Sequence, residues 1–357
     1  MFFVIQALAL VATAFAGTLR VDMLDVGQGD AILVRTPANK VVLIDAGDGE
    51  VSVPGLLAAE KVDHIDLLVA THSHADHIGG MAVVVKALPV KLFTDSGIPH
   101  TTQTYELLMR TVEEKALPYR SAIVDTVYNL DDGAKLEVLF PTGIALSDTR
   151  SDLNSNSVVV RLTHQGHCFL FTGDSEEPTE NALLSRGLGP CEVLKVAHHG
   201  SNHSSTASFL AAVKPRIALI SVGTDNRYGH PGKDTLDRLG DAGATVYRTD
   251  LAGQITVLSS EKGLEVRTAR DASVASATPP DAPVSEVLAH PAQNLSPAAP
   301  STVPKTACPF PASASSEVFH EAGCGNAGRI SPSNLICYDT KEAAIAAGKR
   351  SAGCCKP

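Results

Sequence analysis

The run Thr71-His72-Ser73-His74-Ala75-Asp76-His77-Ile78-Gly79-Gly80 constrains this chain more than any other stretch. It sets three imidazoles and a carboxylate within six residues, directly after the apolar segment Ile65–Ala70. That segment reads as a buried strand, and Ile78-Gly79-Gly80-Met81 opens a helix, so the polar groups fall in a loop at the carboxyl end of a strand. Ordinary packing has no use for such a density of nitrogen and oxygen donors. His72 and His74, two apart, can turn toward one metal ion, while Asp76 and His77 at the helix start can face a second.

A fold that uses this loop must bring further ligands to it, and three other apolar strands end in the same way. Cys168–Thr172 runs into Gly173-Asp174, Val193–Val196 into His198-His199-Gly200-Ser201, and Ile217–Val222 toward Asn226-Arg227-Tyr228-Gly229-His230-Pro231. Asp174 is placed to bridge two ions. Loops at strand ends can vary while the sheet beneath them stays rigid, which suits them to a site. Taken singly, an Asp or His at a strand end is more often a cap or a solvated residue. His64, His100, His164, His167 and His290 have no such setting and are read as surface groups.

Further strand patterns at Leu19–Asp25, Ala31–Arg35, Lys40–Asp45, Ser157–Thr163 and Gln254–Leu258 alternate with helical ones at Val53–Lys61, Ile78–Ala87, Thr102–Lys115, Thr179–Arg186, Thr206–Val213 and Asp234–Ala242. The class is α/β with mixed sheets, in one domain over residues 17–268. Residues 1–16 are expected to be a signal peptide: an apolar run from Phe2 to Ala12 leads to Ala14-Phe15-Ala16, which has the small-x-small form of a cleavage site. The protein is therefore expected to be secreted or periplasmic. No Lys or Arg precedes the run, which keeps an uncleaved membrane anchor as the second reading. Residues 269–307, rich in Pro and Ala, read as an extended linker. Residues 308–357 hold five of the seven cysteines and are too few for a large core, so a covalent or metal staple is the natural stabiliser.

A net charge of −10 gives no sequence-wide basic field, so any nucleic-acid contact would be local. In an oxidising compartment thiols pair. Cys168 precedes Asp174 by six residues and Cys191 precedes His198 by seven, so strands lying side by side would hold these sulfurs at similar height. A Cys168–Cys191 disulfide is expected, with two buried thiols as the alternative.

In order along the chain, Asp25-Val26-Gly27-Gln28-Gly29-Asp30, Leu43-Ile44-Asp45-Ala46-Gly47, the run from His72 to His77, Asn154-Ser155-Asn156-Ser157, Thr172-Gly173-Asp174, His198-His199-Gly200-Ser201 and Asn226-Arg227-Tyr228-Gly229-His230-Pro231 resemble the motifs of the metallo-β-lactamase superfamily. Within it they are most similar to the ComEC-type branch, from the competence protein that takes up DNA. The resemblance covers Leu19 to Leu258 and implies an αββα sandwich with two divalent ions at its edge. Zn²⁺ is the leading expectation, and Mn²⁺ or Fe also suits mixed His and carboxylate ligands. Carried over by position, the resemblance implies His72 and His74 on one ion, Asp76 and His77 on the other, Asp174 as the bridge and His198 completing a shell. Asp45 would accept a hydrogen bond from a ligating imidazole. Many members have a further His where this chain has Asn154-Ser155-Asn156-Ser157, which implies weaker hold on one ion. No multi-spanning membrane portion is expected within these 357 residues.

The tail, with Phe319-His320-Glu321-Ala322-Gly323-Cys324 and Cys355-Lys356-Pro357, resembles the small Ada-like metal-binding module found behind some secreted nucleases. Its candidate ligands are His320, Cys324, Cys354 and Cys355. Ala352 stands where that family's closing Cys-x-x-Cys pair begins, so disulfides among Cys308, Cys324, Cys337, Cys354 and Cys355 are the preferred alternative.

The resemblance implies metal-dependent hydrolysis of a DNA or RNA phosphodiester. Two cations sharing a water lower its pKa toward neutrality and so supply the nucleophile. Asp76, His199 and His230 are the expected catalytic groups, either imidazole protonating the leaving alkoxide. Asn154, Asn156, Ser201 and Arg227 are the expected phosphate contacts, against the plainer reading that they shape tight loops. The alternatives are a small phosphodiester such as a phosphocholine ester, a lactone or β-lactam, or a binding module that keeps the fold without turnover. No stable protein partner is inferred.

Overall fold

The computed structural model describes residues 17–270 and, in the tail, 309–313, 318–320, 335–338, 340–347 and 349–351. The expected signal peptide, the linker beyond Arg270 with His290, and Cys308, Cys324, Cys354 and Cys355 lie outside the described residues. The chain divides into two compact units between Asp281 and Ala282.

In the first unit the chain lays down β1 (Leu19–Met23), β2 (Ile32–Arg35), β3 (Val41–Ile44), β4 (Leu67–Val69), β5 (Phe93–Asp95) and β6 (Tyr119–Ser121) in one sheet. It then builds a second sheet from β7 (Val127–Asn129), β8 (Lys135–Phe140), β9 (Val159–His164), β10 (His167–Phe171), β11 (Val193–Lys195), β12 (Ile217–Ile220) and β13 (Thr245–Arg248). Finally β14 (Ile255–Ser260) and β15 (Gly263–Thr268) return to the first sheet beside β1. Each sheet is antiparallel in one part and parallel in the other: β3 to β6 run parallel, as do β10 to β13. The loops expected to carry ligands follow β4, β10, β11 and β12, all members of the parallel runs. Parallel strands end at a common edge, which is what gathers these loops.

The helices are α1 (Val53–Ala59), α2 (Ala75–Ile78), α3 (Met81–Ala87), α4 (Gln103–Glu114), α5 (Asp152–Ser155), α6 (Glu177–Ser185), α7 (Ala207–Val213), α8 (Lys233–Asp241) and α9 (Thr249–Ala252). Side chains alternate across a strand, and the apolar residues sort accordingly. Val21, Met23, Ile32, Val34, Val42 and Ile44 join Val160, Phe169 and Phe171 in the layer between the sheets. Leu33, Leu43 and Leu68 join Leu57 of α1, Val84 of α3 and Leu108 of α4. Leu170, Leu194 and Ile220 join Leu183 of α6, Phe209 of α7 and Leu239 of α8. Three apolar layers between four layers of structure make the αββα sandwich, each fully buried side chain contributing about 1.5–3 kcal/mol.

The expected single helix from Ile78 to Ala87 is two, α2 and α3, broken at Gly79-Gly80. The reading of His164 as a surface group is corrected. It is 1% exposed, and its Nδ1 lies 3.0 Å from Ser259 Oγ, tying β9 to β14 across the sandwich. Cys168 and Cys191 form a disulfide with a Cα separation of 4.9 Å, on and just before the paired strands β10 and β11.

Among its described residues the second unit has a sheet in the order β18-β16-β17-β19, built from β16 (Phe310–Ser313), β17 (Val318–Phe319), β18 (Leu335–Tyr338) and β19 (Arg350–Ser351), and a helix, α10 (Lys341–Ala346). Ala312, Phe319 and Ala344 form its small core, and Cys337 is disulfide-bonded.

Candidate metal centre

The centre is built outward from Asp45, which follows β3 and has no exposed surface. Its carboxylate accepts Thr71 N at 2.8 Å and Thr71 Oγ1 at 2.7 Å, which fixes the loop leaving β4. It also takes His77 Nδ1 at 2.8 Å. With Nδ1 donating, the lone pair of His77 is on Nε2, which faces Asp174 Oδ1 at 3.3 Å. His77 Nε2 and Asp174 Oδ1 are both buried without a hydrogen-bond partner. Leaving such a group unsatisfied costs about 1–3 kcal/mol, and a cation between the two atoms would satisfy both.

After β11 the chain turns through two consecutive histidines with left-handed backbone, His198 at φ 51° and His199 at φ 53°. Such residues each cost about 1–2 kcal/mol and persist where the surroundings demand them. The turn drives His199 inward. Its Nδ1 donates to Ser221 O at 2.9 Å, leaving Nε2 at 3.2 Å from Asp76 Oδ2 and 3.6 Å from Asp174 Oδ2. Ligand atoms of Asp76, His77, Asp174 and His199 all lie within 4.8 Å of one another. His72 Nε2 is 2.9 Å from His74 Nδ1 and 3.9 Å from Asp174 Oδ2, and His198 Nε2 is 3.7 Å from the same oxygen, which His199 also faces. The donor set of imidazoles and carboxylates therefore fits two divalent cations sharing Asp174.

Burial disfavours charge on His77, yet Asp174, Asp45 and Asp76 outweigh it and lift its pKa well above the usual imidazole range. Burial likewise opposes ionisation of Asp174, but His77, His199 and His198 hold its carboxyl well below the ordinary value. His72 and His74 are pushed down, chiefly by burial. His230 is pushed down to about 4 by burial and by His198 and His199.

A cleft of about 320 Å³ opens over Asp174, lined by Gln28, His74, Asp76, Asn154, Tyr228 and His230 among others. The expected substrate contacts divide. Asn154 lines the cleft, its Nδ2 3.4 Å from His198 Nδ1. Arg227 is at the rim, its Nη2 donating to Tyr228 Oη at 3.2 Å. Asn156 is placed otherwise: it is 1% exposed and its amide is spent on Leu146 N at 2.8 Å, Leu146 O at 2.8 Å and Asp152 O at 2.6 Å. Ser201 is also buried, accepting His203 N at 3.3 Å within its own turn. Both build loops and do not face the cleft. The two histidines of the turn stand differently: His199 joins Asp76, His77 and Asp174 in one group, while His198 has Nε2 3.7 Å from Asp174 Oδ2 and Nδ1 3.5 Å from Glu176 Oε1.

The family model of the metallo-beta-lactamase superfamily matches residues 24–224, over half of the chain and every donor in the cluster from Asp45 to His199. The chain belongs to the metallo-beta-lactamase superfamily. Its relatives include ComE operon protein 3 of Bacillus subtilis, 30% identical over 258 residues that cover 66% of this chain and 32% of that protein. Recombination protein 2 of Haemophilus influenzae is 31% identical over 261 residues, 71% of this chain and 30% of that protein. Competence protein ComA of Neisseria gonorrhoeae is 33% identical over 240 residues, 66% of this chain and 31% of that protein. The chain spans about a third of the length of these relatives. It is a ComEC-type metallo-beta-lactamase, a metal-dependent hydrolase of that superfamily.

Two buried charges of this metallo-beta-lactamase domain escape sequence reasoning. Lys195, with no exposed surface, forms an ion pair with Asp30, donates to Gly173 O at 2.8 Å and lies 3.7 Å from Asp174 Oδ1. Burial works against its charge, but Asp30 and Asp174 outweigh it and raise its pKa. Asp30 in turn lies 3.7 Å from His77 Nδ1 and 3.5 Å from His199 Nδ1. The signal for Lys195 was a charge inside an apolar strand, Val193-Leu194-Lys195-Val196. Asp30 is brought there by Gly29, whose φ of +126° and lack of a Cβ let the loop close on α2; a Cβ would stand 2.1 Å from Asp76 O. Among the described residues no helix is long and apolar enough to cross a membrane. Of the four expected tail ligands, His320 alone is among the described residues.

Proposed function

We propose that this hydrolase is an exported binuclear phosphodiesterase acting on DNA or RNA. The observation that carries the reading is the convergence on Asp174 of His72 with its neighbour His74, of His198, and of the group Asp76, His77 and His199, at an open cleft. Two divalent ions there, Zn²⁺ foremost and Mn²⁺ or Fe as alternatives, would supply Lewis acidity and a water of lowered pKa.

The remaining work falls to the chain. Asp45 and the Ser221 carbonyl hold His77 and His199 in the tautomer that presents Nε2 to the centre. Asn154 offers an amide donor to a non-bridging oxygen at the cleft wall, and Arg227 adds positive charge at the rim. His230, with a pKa near 4, is a neutral imidazole at pH 7 and orients the leaving group by a hydrogen bond. The names of two relatives, a recombination protein and a competence protein, support nucleic acid as the substrate class. For the second unit, the disulfide-bonded Cys337 supports stapling by disulfides over a zinc site.

The test is an activity panel with the full chain, stripped by chelator and reloaded with Zn²⁺ or Mn²⁺ separately. Hydrolysis of oligonucleotides or plasmid that returns with metal and is absent from Asp174→Asn is the expected result. Ring opening of a lactone or β-lactam, with no phosphodiester hydrolysed, overturns the reading.

A further inference from the structure

Tyr228 lies between β12 and α8 and lines the cleft, yet 54% of it is exposed. Its ring stacks on His230, with centroids 5.9 Å apart and planes 18° from parallel. The Arg227 guanidinium carbon stands 5.3 Å from the Tyr228 centroid. Asn226 braces the loop from inside: its Oδ1 accepts His230 N at 2.9 Å, and its Nδ2 donates to His230 O at 2.8 Å and Gly223 O at 3.0 Å. The His230 ring is in turn 5.5 Å from that of His198. A rigidly held aromatic stack, tipped by a cation, thus runs from solvent to the edge of the metal centre.

A single exposed aromatic residue is unremarkable on a protein surface. A braced one that overhangs a phosphodiesterase cleft is suited to a flat apolar group attached to the phosphate. Nucleobases stack on such rings without regard to sequence, and an adjacent arginine strengthens the contact. A duplex hides its base faces and is gripped through many phosphates, for which a chain of net charge −10 has no broad basic surface.

We propose that Tyr228 is a platform for a nucleobase flanking the scissile phosphate, and that the substrate class is single-stranded nucleic acid. This rests on the phosphodiesterase reading above. The test uses the full chain loaded with Mn²⁺, as wild type, Tyr228→Ala and Tyr228→Phe, on three probes: a single-stranded oligonucleotide, the same strand annealed to its complement, and an abasic strand of equal length. Tyr228→Ala is expected to raise KM for the single strand roughly 5- to 150-fold, the range of one lost base stack, with kcat changed far less. Tyr228→Phe should stay near wild type, and the abasic strand should not distinguish the three proteins. An unchanged KM in Tyr228→Ala, or duplex cleaved as efficiently as single strand by the wild type, overturns the platform while leaving the nuclease reading intact. No cleavage of any strand by the wild type overturns both.

Discussion

Lys195 and Asp30 form an ion pair with almost no exposed surface, and the lysine ammonium lies 3.7 Å from Asp174 Oδ1. A buried pair is expensive to assemble and more expensive to break, because removing one partner strands the other charge. The pair sits where three aspartates and several imidazoles already crowd together, and its lysine offsets part of their negative charge.

Lys195→Met should therefore destabilise the fold by about 3–5 kcal/mol, read from urea unfolding of the metal-free protein. Adding Asp30→Asn to it should recover a large part of that loss, since the two sites share one interaction. Equal stability of the single and double variants would show that the ion pair does not operate as a unit.

Asp45 accepts His77 Nδ1 at 2.8 Å and orients that ring, so Asp45→Ala should weaken metal binding about 10- to 100-fold. Competition with a chromophoric chelator measures this directly, without relying on turnover. Unchanged affinity would mean that His77 keeps its orientation unaided.

The disulfide closes a loop with a sequence separation of 23. Constraint of the unfolded chain by a loop of this length is worth about 3 kcal/mol, so the double substitution of Cys168 and Cys191 by Ala should lower stability by that order. Reduction of the wild type under denaturing conditions should reproduce the effect, and it should be absent from the variant.

Glu60 accepts Arg20 Nη2 at 2.9 Å, Arg35 Nη2 at 2.8 Å and Gln254 Nε2 at 3.0 Å. Burial opposes its ionisation, but the Gln254 amide and the two guanidiniums outweigh it and hold the carboxyl below its ordinary value of 4.5. A depressed folded-state pKa gives stability that is present above the unfolded value and lost as pH falls through the folded one. Wild-type stability should decline on acidification below about pH 4.5, and Glu60→Gln should show a shallower decline in that window.

Much of the centre is legible in the primary structure because its donors are dense and end apolar strands, as at His72 to His77 and at Asp174. The separate placements of His198 and His199 are not, since they depend on two left-handed residues in succession that no spacing rule encodes. Asn156 misled because its amide is satisfied by Leu146, ten residues away, a pairing visible only once the loop closes. Strands β5, β6 and β7 have three residues each, too short for alternation to show, whereas β8 buries Leu136, Val138 and Phe140 in regular alternation, a pattern the strand readings above do not include. Lys195 carried the clearest unread clue.

The donors of the centre come from both halves of the sandwich: Asp45 and the run from His72 to His77 follow strands of one sheet, Asp174 and His199 strands of the other. Neither half by itself presents a complete coordination sphere. A nascent polypeptide halted before Asp174 would hold His72, His74 and His77 and still lack the shared carboxylate, so activity is expected only after both sheets have met.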